Sequence, residues 1–442
     1  MKITRRVVCS HTLLALALVA ASCGGDDTQV DGSLADSGAD ALPRTGDSQA
    51  GGGAPEVEWV YGYGGLDTEE HPHAGAQLAD GGFVMVGESS GESGSRIFIV
   101  RTDERGGEVF GRAYGENQFN LGNFVVEDAR GELLVAGSWD AGRTSTDEDR
   151  VLLRLSSTGE VLARQVYPSA GRDAMEGIHL NADGSMIGVG YVGADIAERN
   201  TFIVDSGGGV VMGLNADLSA AWEKSLPASF FHPFRVLPRA SGTGYAVFGA
   251  CRRPTDEPSF CMSFIDGEGN SSEPILYGDG TSNPFDFDAT PDGGYIMTGH
   301  RMTCAEGCWD GWMLKVDADG VVIWELTFGE PNGGTPEQMY EECYGVRAVA
   351  SGGYVTGCGT GVEPGNEVSA SDPLNIWRAY VVRVSELGVI LWQASYGSPE
   401  SNNAAEFILA TGDGGFAVIA DSDQYSEGAA NFALFKLGPD PR

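Results

Sequence analysis

The chain predicts an all-β fold: a seven-bladed β-propeller of four-stranded blades, closed by an N-terminal strand that joins the last blade. Three observations carry this. The first is a glycine turn followed by a hydrophobic strand. It recurs as Gly81-Gly82-Phe83, Arg130-Gly131-Glu132, Asp183-Gly184-Ser185, Thr243-Gly244-Tyr245, Gly293-Gly294-Tyr295, Gly352-Gly353-Tyr354 and Gly414-Gly415-Phe416. Taken at residues 82, 132, 185, 244, 294, 353 and 415, the spacings are 50, 53, 59, 50, 59 and 62. A period of about 40 to 60 residues with several short strands per unit marks a propeller. The second is that each repeat divides into four strand-like runs. The third is an unmatched run at the N-terminal end, set against a last repeat that stops one run short.

The clearest repeat runs from Phe285 to Thr290, turns at Pro291-Asp292-Gly293-Gly294, and returns from Tyr295 to His300. After a cysteine-bearing loop come Gly311 to Val316, the turn Asp317-Ala318-Asp319-Gly320, and Val321 to Phe328. The runs are short and rich in β-branched and aromatic residues, and Gly and Asp bound them. Helical periodicity is absent. The fourth run carries its own mark, an aromatic residue, then Tyr or Phe four positions on, then Gly. It reads Phe110, Tyr114, Gly115; Trp324, Phe328, Gly329; and Trp392, Tyr396, Gly397. The same mark at Trp59, Tyr63, Gly64 has no repeat before it, and the last repeat ends after Phe432 to Leu437. Residues 57–64 are therefore expected to pair with the last blade, removing two edges that would invite aggregation.

Residues 57–442 form the expected propeller, and what precedes it divides in two. Lys2, Arg5 and Arg6 open a segment whose apolar stretch runs from Leu13 to Ala21, which is the pattern of a removed targeting segment rather than a span. With Ala20-Ala21-Ser22-Cys23 it resembles the bacterial lipoprotein signal, so residues 1–22 are expected to be cleaved and Cys23 lipidated. Residues 23–56 are Gly, Ser, Ala and Asp with few apolar side chains, Asp26, Asp27, Asp31, Asp36, Asp40 and Asp47 standing against Arg44. This composition reads as a solvated, disordered tether.

Without the signal, 24 basic residues stand against 63 acidic ones, a net charge of −39 from −36 for the full chain. That argues against nucleic acid and against electrostatic binding to an anionic membrane. The expected setting is the cell envelope, outer membrane or cell surface, with the lipid as the membrane contact and the chain a monomer. Beyond Cys9 and Cys23, six cysteines remain: Cys251, Cys261, Cys304, Cys308, Cys343 and Cys358. An even number in an exported chain suggests disulfides. The strand map prefers Cys251–Cys261, Cys304–Cys308 and Cys343–Cys358, and a metal site at Cys304-Ala-Glu-Gly-Cys308 is the rival.

The pattern of Asp-Gly-Gly-aromatic, strand, loop, Lys-Leu-Asp-type strand, Asp-x-Asp-Gly and a strand with Trp resembles the delta-60-like and SBBP-like propeller repeats of secreted and lipid-anchored bacterial proteins. Residues 291–329 and 413–437 carry it most clearly. Val316 to Trp324 also looks like the tryptophan-docking repeat of quinoprotein-like propellers, with Asp-Gly where that repeat has Thr-Gly, and with Phe110 and Leu162 where Trp59, Trp222, Trp324 and Trp392 stand elsewhere. The resemblance implies binding or scaffolding modules at the envelope. Fold kinship alone supplies no chemistry.

Short turns should crowd one face of the disc, and the longer connections 191–208, 252–260, 301–310 and 360–378 the other. Binding residues usually sit on variable loops held by a rigid frame. The loop-bearing face near the axis is expected to gather Glu70, His71, His73, Asp173, Glu176, His232, Asp286, Asp288, Tyr340, Glu342 and Glu406, together with Glu341 and the aromatic run Phe230-Phe231-His232-Pro233-Phe234. Such oxygen-rich groups suit calcium, and His71, His73 and His232 suit a transition metal; solvation of acidic loop ends, in so acidic a chain, is the preferred explanation over either. No nucleophile–base pair, phosphate loop or paired-histidine zinc motif is visible. The leading expectation is a non-enzymatic module binding an envelope protein or glycan, without a cofactor. The alternatives are an envelope-assembly scaffold of quinoprotein-like type, or a propeller oxidoreductase, hydrolase or lyase.

Overall fold

The computed structural model describes residues 48–50, 53–65, 68–92, 94–116, 118–140, 142, 147–195, 203–204, 206–303, 308–335, 338–362, 373–425 and 430–441. The expected signal at 1–22, Cys23 and Cys304 lie outside the described residues. The fold is all-β: among the described residues there is no α-helix, and one 3-10 turn occurs at Pro373–Asn375.

Strands β1 (Ser48–Ala50) and β2 (Val57–Tyr63) come first. Unit 1 follows with β3 (Glu69–Gln77), β4 (Phe83–Gly91), β5 (Gly94–Thr102) and β6 (Glu108–Tyr114). Unit 2 has β7 (Asn120–Glu127), β8 (Leu133–Asp140), β9 (Glu148–Leu155) and β10 (Val161–Tyr167). Unit 3 has β11 (Arg172–Leu180), β12 (Met186–Ala194), β13 (Gly208–Leu214) and β14 (Ala220–Ser225). Unit 4 has β15 (Phe230–Pro238), β16 (Tyr245–Arg252), β17 (Pro258–Ile265) and the short β18 (Ile275–Leu276). Unit 5 has β19 (Ser282–Ala289), β20 (Tyr295–Met302), β21 (Trp309–Val316) and β22 (Val322–Phe328). Unit 6 has β23 (Met339–Ala348), β24 (Tyr354–Val362), β25 (Arg378–Val384) and β26 (Ile390–Tyr396). The chain ends with β27 (Asn403–Ala410), β28 (Phe416–Ser422) and β29 (Asn431–Leu437).

Within each unit, successive strands pair antiparallel. Single parallel bridges, Arg172 with Glu148 and Tyr340 with Trp309, stitch unit 3 to unit 2 and unit 6 to unit 5. The pre-repeat strand β2 pairs antiparallel with β29, Tyr63 opposite Phe432 and Val60 opposite Phe435. Part of the span expected as tether is folded: β1 pairs with β26, Ser48 opposite Tyr396. The physical reason is that β26 is an outer strand with an open edge, and a passing backbone satisfies it.

The middle strands are sandwiched by neighbouring units, so β8, β9 and β25 are buried along their whole length, the charged residues of β9 and β25 included. Outer strands alternate and expose Val109, Leu162, Val322 and Leu391. Between units 4 and 5, Phe248, Phe260, Phe287 and Trp312 fill the gap, with Phe260 and Trp312 centroids 4.5 Å apart.

The aromatic mark of the fourth run docks each unit on the next. Tyr63 Oη donates to Gly106 O at 2.7 Å, Tyr114 to Gly159 O at 2.8 Å, and Tyr277 to Gly320 O at 3.0 Å. Tyr167 donates likewise to Leu218 O, and Trp324 Nε1 to Glu386 O at 2.9 Å. Each acceptor lies in the turn between third and fourth strands of the following unit. In unit 3 Leu218 holds the left-handed position of this turn with φ +71°, but in unit 6 it must be glycine: at Gly388 (φ +78°) a Cβ would come within 2.8 Å of the Trp324 ring.

Cys251–Cys261 and Cys343–Cys358 are disulfides. Cys343 and Cys358 are directly opposite on β23 and β24. Cys308 is also disulfide-bonded. Replacing Cys343 and Cys358 together with serine should lower stability by about 2–4 kcal/mol, because the unfolded chain gains freedom. Urea unfolding of the oxidised proteins would measure it.

Candidate functional site

Every inner strand is broken by a register shift at the same place. The shifts fall between Pro72 and Ala74, Gly122 and Phe124, Met175 and Gly177, Pro233 and Arg235, Pro284 and Asp286, Cys343 and Gly345, and Ala405 and Phe407. The skipped residues are His73, Asn123, Glu176, Phe234, Phe285, Tyr344 and Glu406. A bulge re-aims its extra side chain, and these side chains meet those of neighbouring inner strands. Phe234 lies 5.4 Å from Phe285, and Phe285 lies 4.6 Å from Tyr344. Asn123 Nδ2 donates to Met175 O at 3.3 Å. One arc of this inner ring is therefore aromatic, from units 4 to 6. The other is polar.

The bulges explain a second regularity. In the following strand, Gly87, Gly137, Gly190, Gly249 and Gly299 press on the backbone just before the bulge. A Cβ at Gly87 would sit 1.9 Å from His71 O, and one at Gly299 2.0 Å from Asn283 O. Sequence reading named His73, Glu176, Phe234 and Glu406 and missed Asn123, Phe285 and Tyr344. The glycine one hairpin later was the signal that could have found them.

All the expected ligand-face residues lie on inner strands, and His71, His73, Glu176, His232 and Glu406 lie close enough to act on one another electrostatically. Glu70 is buried and accepts from Ser89 Oγ at 2.9 Å, Gly65 N at 3.3 Å and Thr68 Oγ1. His71 Nδ1 is 2.7 Å from Asp421 Oδ2. Burial opposes charge on His71, but Asp421, helped by Glu88 and Glu406, outweighs it and pushes the imidazole up to about 10. Burial pushes His73 down, and its Nδ1 lies 3.0 Å from Gly122 O. Asp173 is pushed up to about 6 by burial, against hydrogen bonds from Ser169 Oγ and Gly193 N. His232 stacks on Phe234 at 4.1 Å, accepts from Val204 N at 3.0 Å, and holds Nε2 3.5 Å from Glu176. Glu342 accepts from Tyr344 Oη at 2.7 Å, and Tyr340 forms the parallel bridge to Trp309.

Asp286 and Asp288 differ from the expected placement at the loop-bearing end. β19 begins at Ser282, so Asp286 falls in mid-strand and Asp288 one residue from the tight-turn end. Asp286 accepts from Arg235 Nε at 3.2 Å, Val346 N at 3.1 Å and Arg347 Nη1. Asp288 accepts from Ala348 N at 2.9 Å, and burial pushes its carboxyl up.

A cluster that shares only Glu341 with that set stands at the junction of units 5 and 6. Carboxylate oxygens of Asp310, Glu330 and Glu341 all lie within 4.8 Å of one another. Glu341 is wholly buried, and burial pushes its carboxyl up to about 8 against hydrogen bonds from Thr360 Oγ1 (2.7 Å) and Glu330 N (3.1 Å).

The His71 pair sets a pH dependence. A folded-state value raised above the unfolded value of 6.5 means stability is fully present below about 6.5 and is lost as pH rises through about 10. His71→Gln should flatten that alkaline decline, as read by urea midpoints from neutral to alkaline pH. An unchanged slope would refute the pairing.

No family model and no curated protein sequence matches the chain. Among solved structures it is similar to the WD40 repeats of RRP9, at 11% identity over 88% of this chain and 100% of that chain, with a TM-score of 0.52. It is similar to U3-55K at 11% identity, over 87% and 99% of the two chains, with a TM-score of 0.51. The Neurospora crassa Pan2 WD40 domain follows at 9% identity, over 84% and 90%, with a TM-score of 0.50. At such identities the likeness shows the fold alone, and that fold is a β-propeller.

Proposed function

We propose that the chain is a lipid-anchored cell-envelope propeller that binds an envelope protein or a glycan through its loop-bearing face and catalyses no reaction. It has seven four-stranded blades, the last made of β27, β28, β29 and β2. Closure is supported by the docking relay, which continues across the seam. Tyr63 of β2 reaches the Gly106 turn of unit 1. Trp392 Nε1 of unit 6 donates to Asp440 at 2.9 Å, just after β29, where the other units place the turn between third and fourth strands. Two disulfides fit an oxidising, exported setting.

The observation that carries the binding role is how the inner polar groups are spent. Asp286, Glu70, Glu342 and His71 each satisfy a partner within the frame. Groups tied into structure make a rigid platform, and recognition falls to the loops it presents. Photo-crosslinking residues at Thr255 on the loop face and at Ala318 on the tight-turn face would test this in envelope preparations. A discrete adduct from position 255 alone is the expected result; equal labelling from both, or none, would overturn the reading. Mass spectrometry of the mature N-terminus should show a diacylated Cys23, and an unmodified start beyond it would refute the anchor.

A further inference from the structure

The junctions between units repeat one device: a polar residue near the start of a third strand faces one near the start of the next inner strand. Between units 2 and 3 the pair is Asp149 and Asp173, beside the bridge Glu148–Arg172. There Arg150 supplies a cation, its Nε 3.8 Å from Asp173, and Ser169 donates to the same carboxylate. Between the last unit and unit 1 it is Asn431 and Glu70, where an amide replaces one acid; both lie against the Cβ position of Gly64. Between units 5 and 6, beside the bridge Trp309–Tyr340, the pair is Asp310 and Glu341.

Among the described residues, that junction has no cation built into the pattern at the place Arg150 takes. Gly311 stands where unit 2 has Arg150, and Glu330 stands where Ser169 does, so a third carboxylate replaces a donor. Arg301 lies near Asp310 but directs its guanidinium to Asp279 (3.2 Å) and Glu325 (3.6 Å). The wholly buried Glu341 keeps Oε2 without a hydrogen-bond partner among the described residues, and so does Asp310 Oδ1. Both oxygens border the bare Cα of Gly329: a Cβ there would lie 2.5 Å from Glu341 Oε2 and 3.5 Å from Asp310 Oδ1.

We infer that Asp310, Glu330 and Glu341 bind one calcium ion, which replaces the internal arginine and ties unit 5 to unit 6. Oxygen donors alone select a hard cation. Ligands about 2.4 Å from calcium can lie up to about 4.8 Å apart, whereas magnesium needs a tighter octahedron near 2.0–2.1 Å. Asp310 and Glu330 are only half-buried, which leaves water to complete the shell. The inference is independent of the ligand proposed for the loop face.

The test is calcium titration of the purified mature protein after chelator treatment, at physiological ionic strength. One ion per chain should bind, with a dissociation constant between about 10⁻⁵ and 10⁻³ M. Asp310→Asn and Glu341→Gln should each weaken it at least about tenfold, a change of ~1.4 kcal/mol, while Asp149→Asn should leave it unchanged. Terbium luminescence sensitised by Trp309, and its displacement by calcium, needs no variant and covers the case in which one misfolds. Absence of calcium uptake and of a terbium signal would overturn the inference and leave a proton shared by Asp310 and Glu341. Uptake undiminished in both variants, or magnesium binding as tightly as calcium, would overturn it as well.

Discussion

Alanine at position 286 should lower the stability of the chain by about 3–5 kcal/mol, the cost of breaking a buried ion pair from one side. Asp286 is 1% exposed and joins three consecutive units. It accepts from Arg235 on β15 and from Arg347 and Val346 N on β23. Arg235 lies 4.6 Å over the Phe124 ring and Arg347 4.4 Å over Phe407, so neither guanidinium is free to swing into water. Burial already pulls Arg235 below its ordinary value. A buried Arg235 and a half-buried Arg347 left facing each other would force local opening. Asp319→Ala is the control: its carboxylate is 83% exposed and 3.4 Å from Arg239, a pair that contributes at most about 1 kcal/mol. Urea denaturation of both variants decides the matter, and equal losses would refute the role given to Asp286.

Deleting Val57–Tyr63 should abolish soluble, cooperatively folded protein. Val60 and Tyr63 are 3% and 5% exposed, and burying them with the β2–β29 ladder contributes on the order of 5 kcal/mol. That approaches the whole stability of an ordinary domain. The deletion also bares β29 along Phe432, Leu434 and Phe435, an open apolar edge of the kind that drives aggregation. Removing residues 1–47 alone should leave the melting temperature unchanged. A soluble monomer with a wild-type melt after loss of Val57–Tyr63 would refute the pairing.

The fold was legible because its repeat is chemical as well as spatial. Trp59, Tyr63 and Gly64 carry the residue types of an outer strand, so their partner could be named without coordinates. β18 of unit 4 is only two residues long and is followed by half the mark, Tyr277-Gly278, with Glu273 where the first aromatic would stand; Pro274 just before it removes a donor. The inner ring was half hidden because a bulge is a property of backbone pairing. It accepts His73, Asn123, Phe285 or Glu406 alike, so residue type gives no warning. The Asp310–Glu330–Glu341 cluster was less visible still. Its members come from three segments, and the register between units 5 and 6 brings them together.

The pairing of β2 with β29 has a kinetic side. Lys436 Nζ reaches Glu58 Oε2 at 3.4 Å across 378 positions of chain. Closing so long a loop costs roughly 5 kcal/mol of chain entropy by the logarithmic law, and non-local pairing of this kind is slow. Strand β2 is made early and has to wait for β29. Until residue 437 emerges β2 has no complete partner, and a chain held unpaired in this way remains threadable.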